Sequence, residues 1–326
     1  MQAQQILDTV AQDFERVNKL IIEQLSSDVP LVEKIAHYIV ESGGKRMRPL
    51  LVLLASNALG YEGENKSADK IKLASIIEFL HTATLLHDDV VDTSDLRRGK
   101  ATANAKWGNA PSVLVGDFLY SRAFQMMVQI SNMSIMNILS DATNVIAEGE
   151  VFQLMNCKNP DVTEENYMAV IKSKTAMLFQ AASHSGAVLA NASAEQETAL
   201  RDYGLHLGLA FQLIDDVLDY TGSAEDMGKN VGDDLAEGKP TLPLIYAMKH
   251  GSKEQAQLIR NAIRKGGLED LSLIKEAVQT TGALDYTIER ANKEADKAKA
   301  CLNTLESSPY KEALFALAGL AVERNH

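Results

Sequence analysis

The sequence predicts an all-α fold, and three observations support that class. Apolar residues recur at helical intervals along most of the 326-residue chain, and no segment shows a sustained alternation of apolar and polar residues. The hydrophobic content of 46% is enough for a large core. The connections between the apolar segments are short. We therefore expect one all-α domain over residues 1–326.

Each helix of that fold is predicted from the spacing of its apolar side chains. Two amphipathic helices are expected between residues 5 and 40, and the helix within residues 1–30 is the least specific part of the chain. From residue 251 onward, further amphipathic helices follow, without a group of residues that indicates chemistry. The remaining helices are predicted over residues 67–92, 111–130, 132–155, 163–190 and 194–220.

Charge and cysteine content narrow the classes of function. The net charge of −12 disfavours nucleic-acid binding, and it requires local basic clusters to attract any anionic substrate. Cys157 and Cys301 are too few and too far apart for a disulfide framework or a zinc site. The first residues include acids where a signal peptide would be apolar, and no run of about 20 apolar residues occurs. We expect a soluble cytoplasmic protein.

The sequence GGKRMRP at residues 43–49 places three cations near the start of a helix. Its glycines interrupt the preceding helix, and Pro49 fits the first turn of the next one. Lys45, Arg46 and Arg48 therefore lie where free backbone N–H groups and the helix dipole favour an anion. We predict an anion site; the alternative is a basic loop that only increases solubility.

An apolar helix ends in an acidic cluster at Asp88, Asp89 and Asp92. Asp88 and Asp92 share a helix face, where like charges cost roughly 0.2–0.5 kcal/mol even in water. Burial would increase that cost, so a neutralising cation is the natural explanation. Carboxylates without nearby cysteine suit Mg²⁺, which keeps several waters and usually binds a substrate phosphate as well. The alternative for this cluster alone is an acidic helix end that faces solvent.

The same spacing occurs again at Asp215, Asp216 and Asp219, inside another apolar helix. Two such clusters in hydrophobic sequence are difficult to explain as solvated helix faces. The duplication suggests two equivalent walls of one cavity. We therefore predict a shared site for Mg²⁺ and phosphate.

Two further features would complete such a site. His81 lies seven residues before Asp88, close to two helical turns, and can project toward the same cavity; a hydrogen-bonded core histidine is the alternative. The glycine-rich segment 221–243 carries Lys229 and Lys239 among acids. It is predicted to be a mobile flap that closes over bound phosphates and excludes water, with an ordinary surface loop as the alternative.

Five segments carry a resemblance to a known family: GGKRMRP at 43–49, LLHDDVVDTSDLRRGK at 85–100, SKTA at 173–176, FQLIDDVLDY at 211–220 and GKNVGDDLAEGKPTLP at 228–243. Together they are similar to the trans-isoprenyl diphosphate synthases, in order and spacing, from about residue 30 onward. The resemblance implies a single-domain orthogonal helical bundle around a deep central cavity, the isoprenoid synthase type of fold. It also implies head-to-tail prenyl transfer, in which an allylic diphosphate ionises, isopentenyl diphosphate attacks the carbocation, and a proton is lost.

The resemblance assigns residues to the allylic diphosphate. Two Mg²⁺ ions would bind Asp88 and Asp92, and a third would bind Asp215 and Asp219. Cations around the leaving group would stabilise its developing negative charge. The middle aspartate of each cluster projects roughly 100° away and would act from the outer coordination sphere. The cationic side chains that complete this site would be Arg97, Lys174, Lys229 and Lys239.

The resemblance also assigns residues to the reacting carbon and to the second substrate. Thr175 and Gln212 would face the allylic carbon and stabilise positive charge without trapping it; a hydroxyl bonded back to its own helix is the alternative for Thr175. The released pyrophosphate, rather than a side chain, would accept the proton. Isopentenyl diphosphate would be bound, without direct metal contact, by Lys45, Arg48, His81 and Arg98.

Small residues before the first aspartate cluster indicate a long product. Ala83 and Thr84 lie where short-chain relatives tend to carry aromatic side chains, so we expect a deep tunnel and extension of farnesyl diphosphate to a 40-carbon (C40) product for a quinone side chain. Ordinary core packing is the alternative for the residues proposed as the tunnel floor. These are Phe124, Met126, Met127 and Met136.

Other functions stay open at this point. A synthase of another length would make a C35, C45 or C50 product. A non-catalytic regulatory subunit would be expected to lack one aspartate cluster or the basic motif, and a terpene cyclase would lack the basic motif. A helical scaffold that binds metal incidentally is a further alternative. We expect a homodimer formed through apolar helices at residues 111–155, transient membrane contact during product release, and no nucleic-acid partner.

Overall fold

The computed structural model describes residues 1–61, 67–222 and 232–323. These residues are helical almost throughout, so the all-α class is confirmed. The chain divides into two compact units. The first unit contains Met1–Thr143, Leu178–Gly204 and Lys299–Leu317, and the second contains Asn144–Met177, Leu205–Ala298 and Ala318–His326. The single domain expected over the whole chain stays a prediction.

The first unit begins with short amphipathic helices and continues with longer apolar ones. These are α1 (Ala3–Asp8), α2 (Ala11–Glu23), α3 (Pro30–Glu41), α4 (Met47–Asn57), α5 (Ser67–Val91), α6 (Ala103–Trp107) and α7 (Asn109–Ile130). Helix α5 packs against α2, α4 and α7, which explains why apolar residues cover most of its circumference. Lys70 of α5 is buried and ties α5 to α2 and α4, because its Nζ lies 2.6 Å from Asp13 Oδ2 and 2.7 Å from Asn57 Oδ1.

The remaining described helices follow in chain order from residue 133 to residue 322. They are α8 (Met133–Asn156), α9 (Glu164–Ile171), a π-helical segment (Lys172–Ala176), α10 (Met177–Leu189), α11 (Ala194–Thr221), α12 (Asp233–Ala236), α13 (Leu242–His250), α14 (Lys253–Lys265), α15 (Leu271–Thr280), α16 (Ala283–Cys301), a 3₁₀ turn (Leu302–Thr304) and α17 (Pro309–Val322). Apolar clusters fill the second unit. One joins α13, α14 and α15 through residues such as Leu244 and Ile263, and another joins α9 to α11 through Tyr167 and Leu213. Within the described parts of the chain, no helix combines the length and the apolarity needed to cross a bilayer.

The helix bounds predicted between residues 67 and 220 agree with the structure to within a few residues, with one interruption. The helix expected over residues 163–190 contains the π-helical segment, for which apolar spacing gives no signal. The structure has three helices where two were expected over residues 5–40. The additional break lies at Thr9 and Val10, and neither glycine nor proline marks it in the sequence. Helix α6, with five residues, is too short to be recognised from periodicity.

The expectation of a chain without strands is wrong at one place. Leu96–Arg97 (β1) pairs antiparallel with Lys100–Ala101 (β2). Strands of two residues are too short to show alternation. Arg98 and Gly99 connect them with φ angles of 52° and 73°, the left-handed values of a two-residue hairpin turn. This hairpin positions both arginines that the sequence singled out after the first aspartate cluster.

Candidate active site

Residues predicted to bind isopentenyl diphosphate come together in the first unit, at the start of α4. Arg46 precedes the helix in the left-handed conformation, with φ at 44°, and Arg48 lies in the first turn. The Arg48 Nη1 atom is 3.2 Å from His81 Nε2 on α5. The same guanidinium lies 4.3 Å from the centre of the Phe179 ring. Arg48 is therefore held between an imidazole and an aromatic face.

Arg98 reaches the same motif from the hairpin. A Cβ atom on Gly44 would lie 2.8 Å from Arg98 Nη1 and 2.9 Å from Nη2, so the guanidinium packs directly on the glycine backbone. Gly44 has a φ of 147°, a backbone angle that residues with a side chain rarely adopt. A side chain there would both strain the loop and displace Arg98. Lys45 is the next residue along the chain.

The electrostatics of this cluster keep His81 neutral. Burial, reinforced by the positive charges of Arg48, Arg98 and Arg97, holds the pKa of His81 well below its ordinary value. A neutral imidazole can accept a hydrogen bond from Arg48 at Nε2 while its Nδ1–H remains able to donate to an anion. His81 is therefore hydrogen-bonded, as the alternative expects, and its partner Arg48 is itself a predicted substrate-binding residue. Binding of a substrate by His81 stays a prediction.

Glu78 belongs to this cluster although sequence reasoning missed it. It lies on α5 three residues before His81, and burial raises its pKa against the opposing influence of Arg46, Arg48 and Arg98. The signal was present as an acid inside an apolar helix, on the face that His81 occupies. The carboxyl group of Glu78 therefore lies among the positive charges that are concentrated around the start of α4.

The first aspartate cluster lies at the end of α5. Asp92 follows the helix directly, and its N–H donates to the Asp88 carbonyl over 2.8 Å, so Asp88 and Asp92 share a face and are both half-buried. Asp89 is fully buried. Arg97 donates to Asp89 Oδ1 from Nε over 2.9 Å and from Nη2 over 2.7 Å. Burial raises the pKa of Asp89 and the Arg97 charge opposes that rise. Arg97 thus holds the aspartate behind the cluster, and its direct contact with diphosphate stays a prediction.

Lys174 and Thr175 lie in the π-helical segment of the second unit. A π-helical turn contains one extra residue and is frequent at functional sites. A Cβ atom on Gly149 of α8 would come within 2.7 Å of the Ser173 Cβ and 3.1 Å of the Lys174 backbone nitrogen. Because Gly149 has no side chain, the π-helical segment can approach α8 closely.

Both described lysines of the predicted allylic site contact acidic side chains. Lys174 Nζ lies 2.8 Å from Glu150 Oε2 and 2.8 Å from Gln153 Oε1. Lys239 forms an ion pair with Glu237. These partners could not be predicted from the sequence, because the Lys174 contacts depend on the approach of α8 to a distant segment.

A chain of hydrogen bonds links Thr175 to the second aspartate cluster. The Thr175 hydroxyl donates to Gln212 Oε1 over 2.9 Å, and Gln212 Nε2 donates to Asp216 Oδ1 over 2.8 Å. Tyr167 of α9 donates its hydroxyl to Asp216 Oδ2. Burial and the charge of Asp234 raise the pKa of Asp216 well above its ordinary value, and the hydrogen bonds from Tyr167 and Gln212 oppose that rise. Thr175 therefore bonds across to α11 rather than back to its own helix.

The aspartates of the second cluster differ in exposure. Asp215 is half-buried, whereas Asp219, one turn later, is fully buried. The N–H of Gly232 donates to the Asp219 carbonyl over 3.1 Å, which fixes the start of the next described segment against α11. Lys229 and the flap residues 223–231 lie outside the described residues, so the closing flap stays a prediction.

One cleft in the second unit gathers most of the residues assigned to the allylic substrate. It is partly open to solvent. Its wall combines two lysines and neutral oxygens with the carboxyl groups of Asp216 and Asp234, and the lysines are suited to bind an anion beside a developing positive charge. The predicted residues that line it are Lys174, Thr175, Gln212 and Lys239.

The aspartates offer incomplete metal coordination. Across the described ranges, no three His, Cys, Asp or Glu side chains converge closely enough to enclose an ion by themselves. Pairs of carboxylates fit Mg²⁺, because this ion usually keeps waters and takes its remaining ligands from substrate phosphates.

The residues proposed for the chain-length tunnel lie in the first unit and differ in burial. Ala83, Met126 and Met127 are fully buried. Thr84, Phe124 and Met136 are half-buried. The Thr84 hydroxyl donates to the His81 carbonyl over 2.7 Å. Contact of any of these side chains with a product stays a prediction.

Comparison with known proteins decides the family, because the Polyprenyl synthetase family profile matches residues 29–281. The chain belongs to the polyprenyl synthetase family. This polyprenyl synthetase is 56% identical to octaprenyl diphosphate synthase of Escherichia coli over 326 residues, which cover 100% of both chains. It is 50% identical to the all-trans-nonaprenyl-diphosphate synthase (geranyl-diphosphate specific) of Rhodobacter capsulatus, covering 98% of each chain.

A solved structure supports the same family assignment. The polyprenyl synthase of Caulobacter crescentus, crystallised with calcium and isoprenyl diphosphate, superposes with a TM-score of 0.95 at 45% identity. The match covers 100% of this chain and 98% of that chain. The isoprenoid synthase type of fold is thereby confirmed. As a polyprenyl synthetase, the chain is a prenyltransferase that uses a divalent metal and two substrates, isopentenyl diphosphate and an allylic diphosphate.

Proposed function

We propose that the chain extends farnesyl diphosphate with isopentenyl diphosphate units to the 40-carbon, all-trans octaprenyl diphosphate, a precursor of a quinone side chain. The observation that carries the proposal is the cleft in which Lys174, Lys239, Thr175 and Gln212 meet. The product length is supported by the 56% identity to octaprenyl diphosphate synthase of Escherichia coli. The nonaprenyl synthase at 50% identity makes a 45-carbon product the leading alternative.

In this proposal, the allylic diphosphate replaces glutamate carboxylates as the binding partner of two lysines. Lys174 and Lys239 leave Glu150 and Glu237 and contact the diphosphate oxygens, where two cations neutralise the charge that develops on the leaving group. The oxygens of Thr175 and Gln212 then stabilise the allylic cation without forming a bond to it. Because part of the cleft wall is apolar, water screens these charges less than it would in bulk solution.

Isopentenyl diphosphate binds in the first unit through Lys45, Arg48, His81 and Arg98. Arg48 offers a planar pair of donors whose orientation is set by His81 and by the Phe179 ring. The neutral imidazole of His81 adds a donor without adding charge. The double bond of this substrate attacks the allylic cation, and the released pyrophosphate accepts the proton that is lost.

Three Mg²⁺ ions would be held by aspartates, two by Asp88 and Asp92 and one by Asp215 and Asp219. When bound, the metal supplies positive charge to the departing diphosphate. The absence of soft ligands near these carboxylates supports Mg²⁺ over transition metals. Behind each pair, a buried aspartate is held by donors of this chain and can orient the neighbouring carboxylates.

The test is a product assay on the purified chain. Farnesyl diphosphate, labelled isopentenyl diphosphate and Mg²⁺ are incubated with the protein, and the dephosphorylated products are sized by chromatography. A dominant 40-carbon alcohol that disappears with EDTA is expected. A different single length would change the assigned product length and leave the synthase function in place. Geranyl diphosphate is tested in parallel as a primer. If no primer leads to labelled products, the synthase function is wrong and a regulatory subunit becomes the better explanation.

We also propose a homodimer formed through apolar side chains of α7 and α8. In the first unit, Leu114, Val128 and Met133 are 65%, 62% and 68% exposed, which is unusual for large apolar side chains. Sedimentation equilibrium should give twice the chain mass at micromolar concentration, and Leu114→Glu should lower it. A wild-type monomer would contradict the dimer.

Transient membrane contact is proposed for product release, because a 40-carbon prenyl chain is poorly soluble in water. Phosphatidylcholine vesicles should raise the steady-state rate without changing the first turnover. A steady-state rate that is insensitive to vesicles would contradict this step.

A further inference from the structure

Gln212 has its amide group fixed at both ends. Its Nε2 donates to Asp216 Oδ1 over 2.8 Å, and its Oε1 accepts from the Thr175 hydroxyl over 2.9 Å. Amide nitrogen and oxygen are similar in shape, so such a side chain can turn over unless its partners differ in character. In the structure, Asp216 accepts from Gln212 at Oδ1 and from Tyr167 at Oδ2, so the amide nitrogen of Gln212 lies on the Asp216 side.

Asp216 can set this orientation only if its own position is fixed. It lies on α11, is 2% exposed, and receives the Tyr167 hydroxyl on its second oxygen. Tyr167 comes from α9 and is 4% exposed. Both oxygens of Asp216 therefore have a donor, one from each neighbouring side chain. Removal of the Tyr167 hydroxyl would leave one oxygen without that donor and allow the carboxylate to rotate.

We propose that Tyr167 is a positioning residue, which acts through Asp216 to keep the carbonyl oxygen of Gln212 turned toward Thr175 and the cleft. This inference deepens the proposed function and rests on it. In the opposite orientation, Gln212 would present its N–H₂ group, whose positive end repels an allylic cation. The hydroxyl of Tyr167 thus determines the sign of the dipole that the reacting carbon meets.

The first test is Tyr167→Phe, which removes a single oxygen atom. We expect kcat with farnesyl diphosphate to fall roughly five- to tenfold, because one hydrogen bond of the orienting network is lost. The KM for farnesyl diphosphate should change less than about twofold, because Gln212 acts on the cation rather than on the bound ground state. A simple loosening of the fold would lower the melting temperature without this division between kcat and KM.

Tyr286→Phe is the matched control. The Tyr286 hydroxyl also donates to a carboxylate, at 3.0 and 3.1 Å from the two oxygens of Glu164, and Glu164 begins the helix that carries Tyr167. Tyr286 is not among the residues that line the cleft. The control should leave kcat within about twofold of wild type. An equal loss of kcat in both variants would overturn the proposal.

A double-mutant cycle tests whether Tyr167 acts through Gln212. Gln212→Met keeps the approximate shape and removes the dipole, so adding Tyr167→Phe to it should reduce kcat no further. A tenfold loss in both backgrounds, or no loss in the wild-type background, would overturn the inference. If Tyr167→Phe does not fold, Asp216→Asn replaces one of the two accepting oxygens with an N–H₂ donor instead and should give the same loss, also absent in the Gln212→Met background. A wild-type chain that makes no prenyl product would instead refute the proposed function itself.

Discussion

His81 shows how a single residue can bind an anion while remaining uncharged. Its Nε2 accepts from Arg48, which is possible only for the neutral imidazole. We predict that His81→Gln, which keeps neutral hydrogen-bonding groups, raises the KM for isopentenyl diphosphate less than about fivefold. His81→Leu should raise it more than tenfold, because Arg48 loses its acceptor. Initial rates at varied isopentenyl diphosphate measure both, and equal KM values for the two variants would contradict this role.

The same residue should make the fold sensitive to acid. Because the folded protein holds the pKa of His81 below the ordinary value, the unfolded chain takes up the proton first as the pH falls. The contribution of neutral His81 to the stability of the fold is therefore complete above about pH 6.5, the ordinary pKa of histidine. It is lost as the pH falls below that value. Urea unfolding at neutral and at mildly acidic pH should show a larger decrease in the free energy of unfolding for wild type than for His81→Gln. Parallel losses would contradict the prediction.

At the scale of elements, the hairpin is tied to α5 by a buried ion pair. Arg97 contacts Asp89 through both Nε and Nη2, a geometry that lysine cannot reproduce. We predict that Arg97→Lys lowers the free energy of unfolding by roughly 1–2 kcal/mol, because hydrogen bonds to a buried carboxylate are lost. The control is Arg201→Lys, since the Arg201–Asp202 pair is exposed and should contribute little. Guanidinium denaturation of both variants measures the difference, and equal changes would argue against a special role for the hairpin pair.

The contact between α8 and the π-helical segment depends on one glycine. Gly149→Ala would place a Cβ 2.7 Å from the Ser173 Cβ and must shift the segment that carries Lys174. We expect kcat/KM for farnesyl diphosphate to fall at least about tenfold, because small displacements of catalytic groups are costly. Gly319→Ala is the control, because that glycine is also helical and its nearest neighbour would lie at 3.9 Å. If both substitutions leave kcat/KM unchanged, the close approach has no catalytic importance.

Across the whole molecule, sequence reasoning succeeded where the information is local. Apolar spacing gave the long helices, and charge within one or two turns gave the aspartate clusters and the basic motif. It failed where a residue acquires meaning from a distant segment. Tyr167 and Asp216 are 49 residues apart, and Lys174 is 24 residues from Glu150. Neither spacing carries a pattern, and short features such as the hairpin contain too few residues to show a period.

We expect product length to depend on the first unit as a whole, and Ala83 offers a direct test of it. Ala83 is fully buried on α5, five residues before Asp88, and α5 packs against α7, where Met126 and Met127 are buried as well. If a tunnel passes this level, Ala83→Phe fills it, and the main product should shorten from 40 to about 20 carbons or fewer. If Ala83 is only core, the larger ring costs roughly 1–3 kcal/mol of stability and leaves the length unchanged.

The two outcomes of Ala83→Phe are separated by measuring product length and melting temperature on the same preparation. Ala74→Phe is the matched control, because Ala74 is fully buried on the same helix but nine residues further from Asp88. It should lower the melting temperature without shortening the product. A shorter product from Ala83→Phe alone, at a melting temperature close to wild type, means that the prenyl chain descends along α5. Unchanged length in a destabilised Ala83→Phe protein would place the growing chain elsewhere and leave Ala83 as packing.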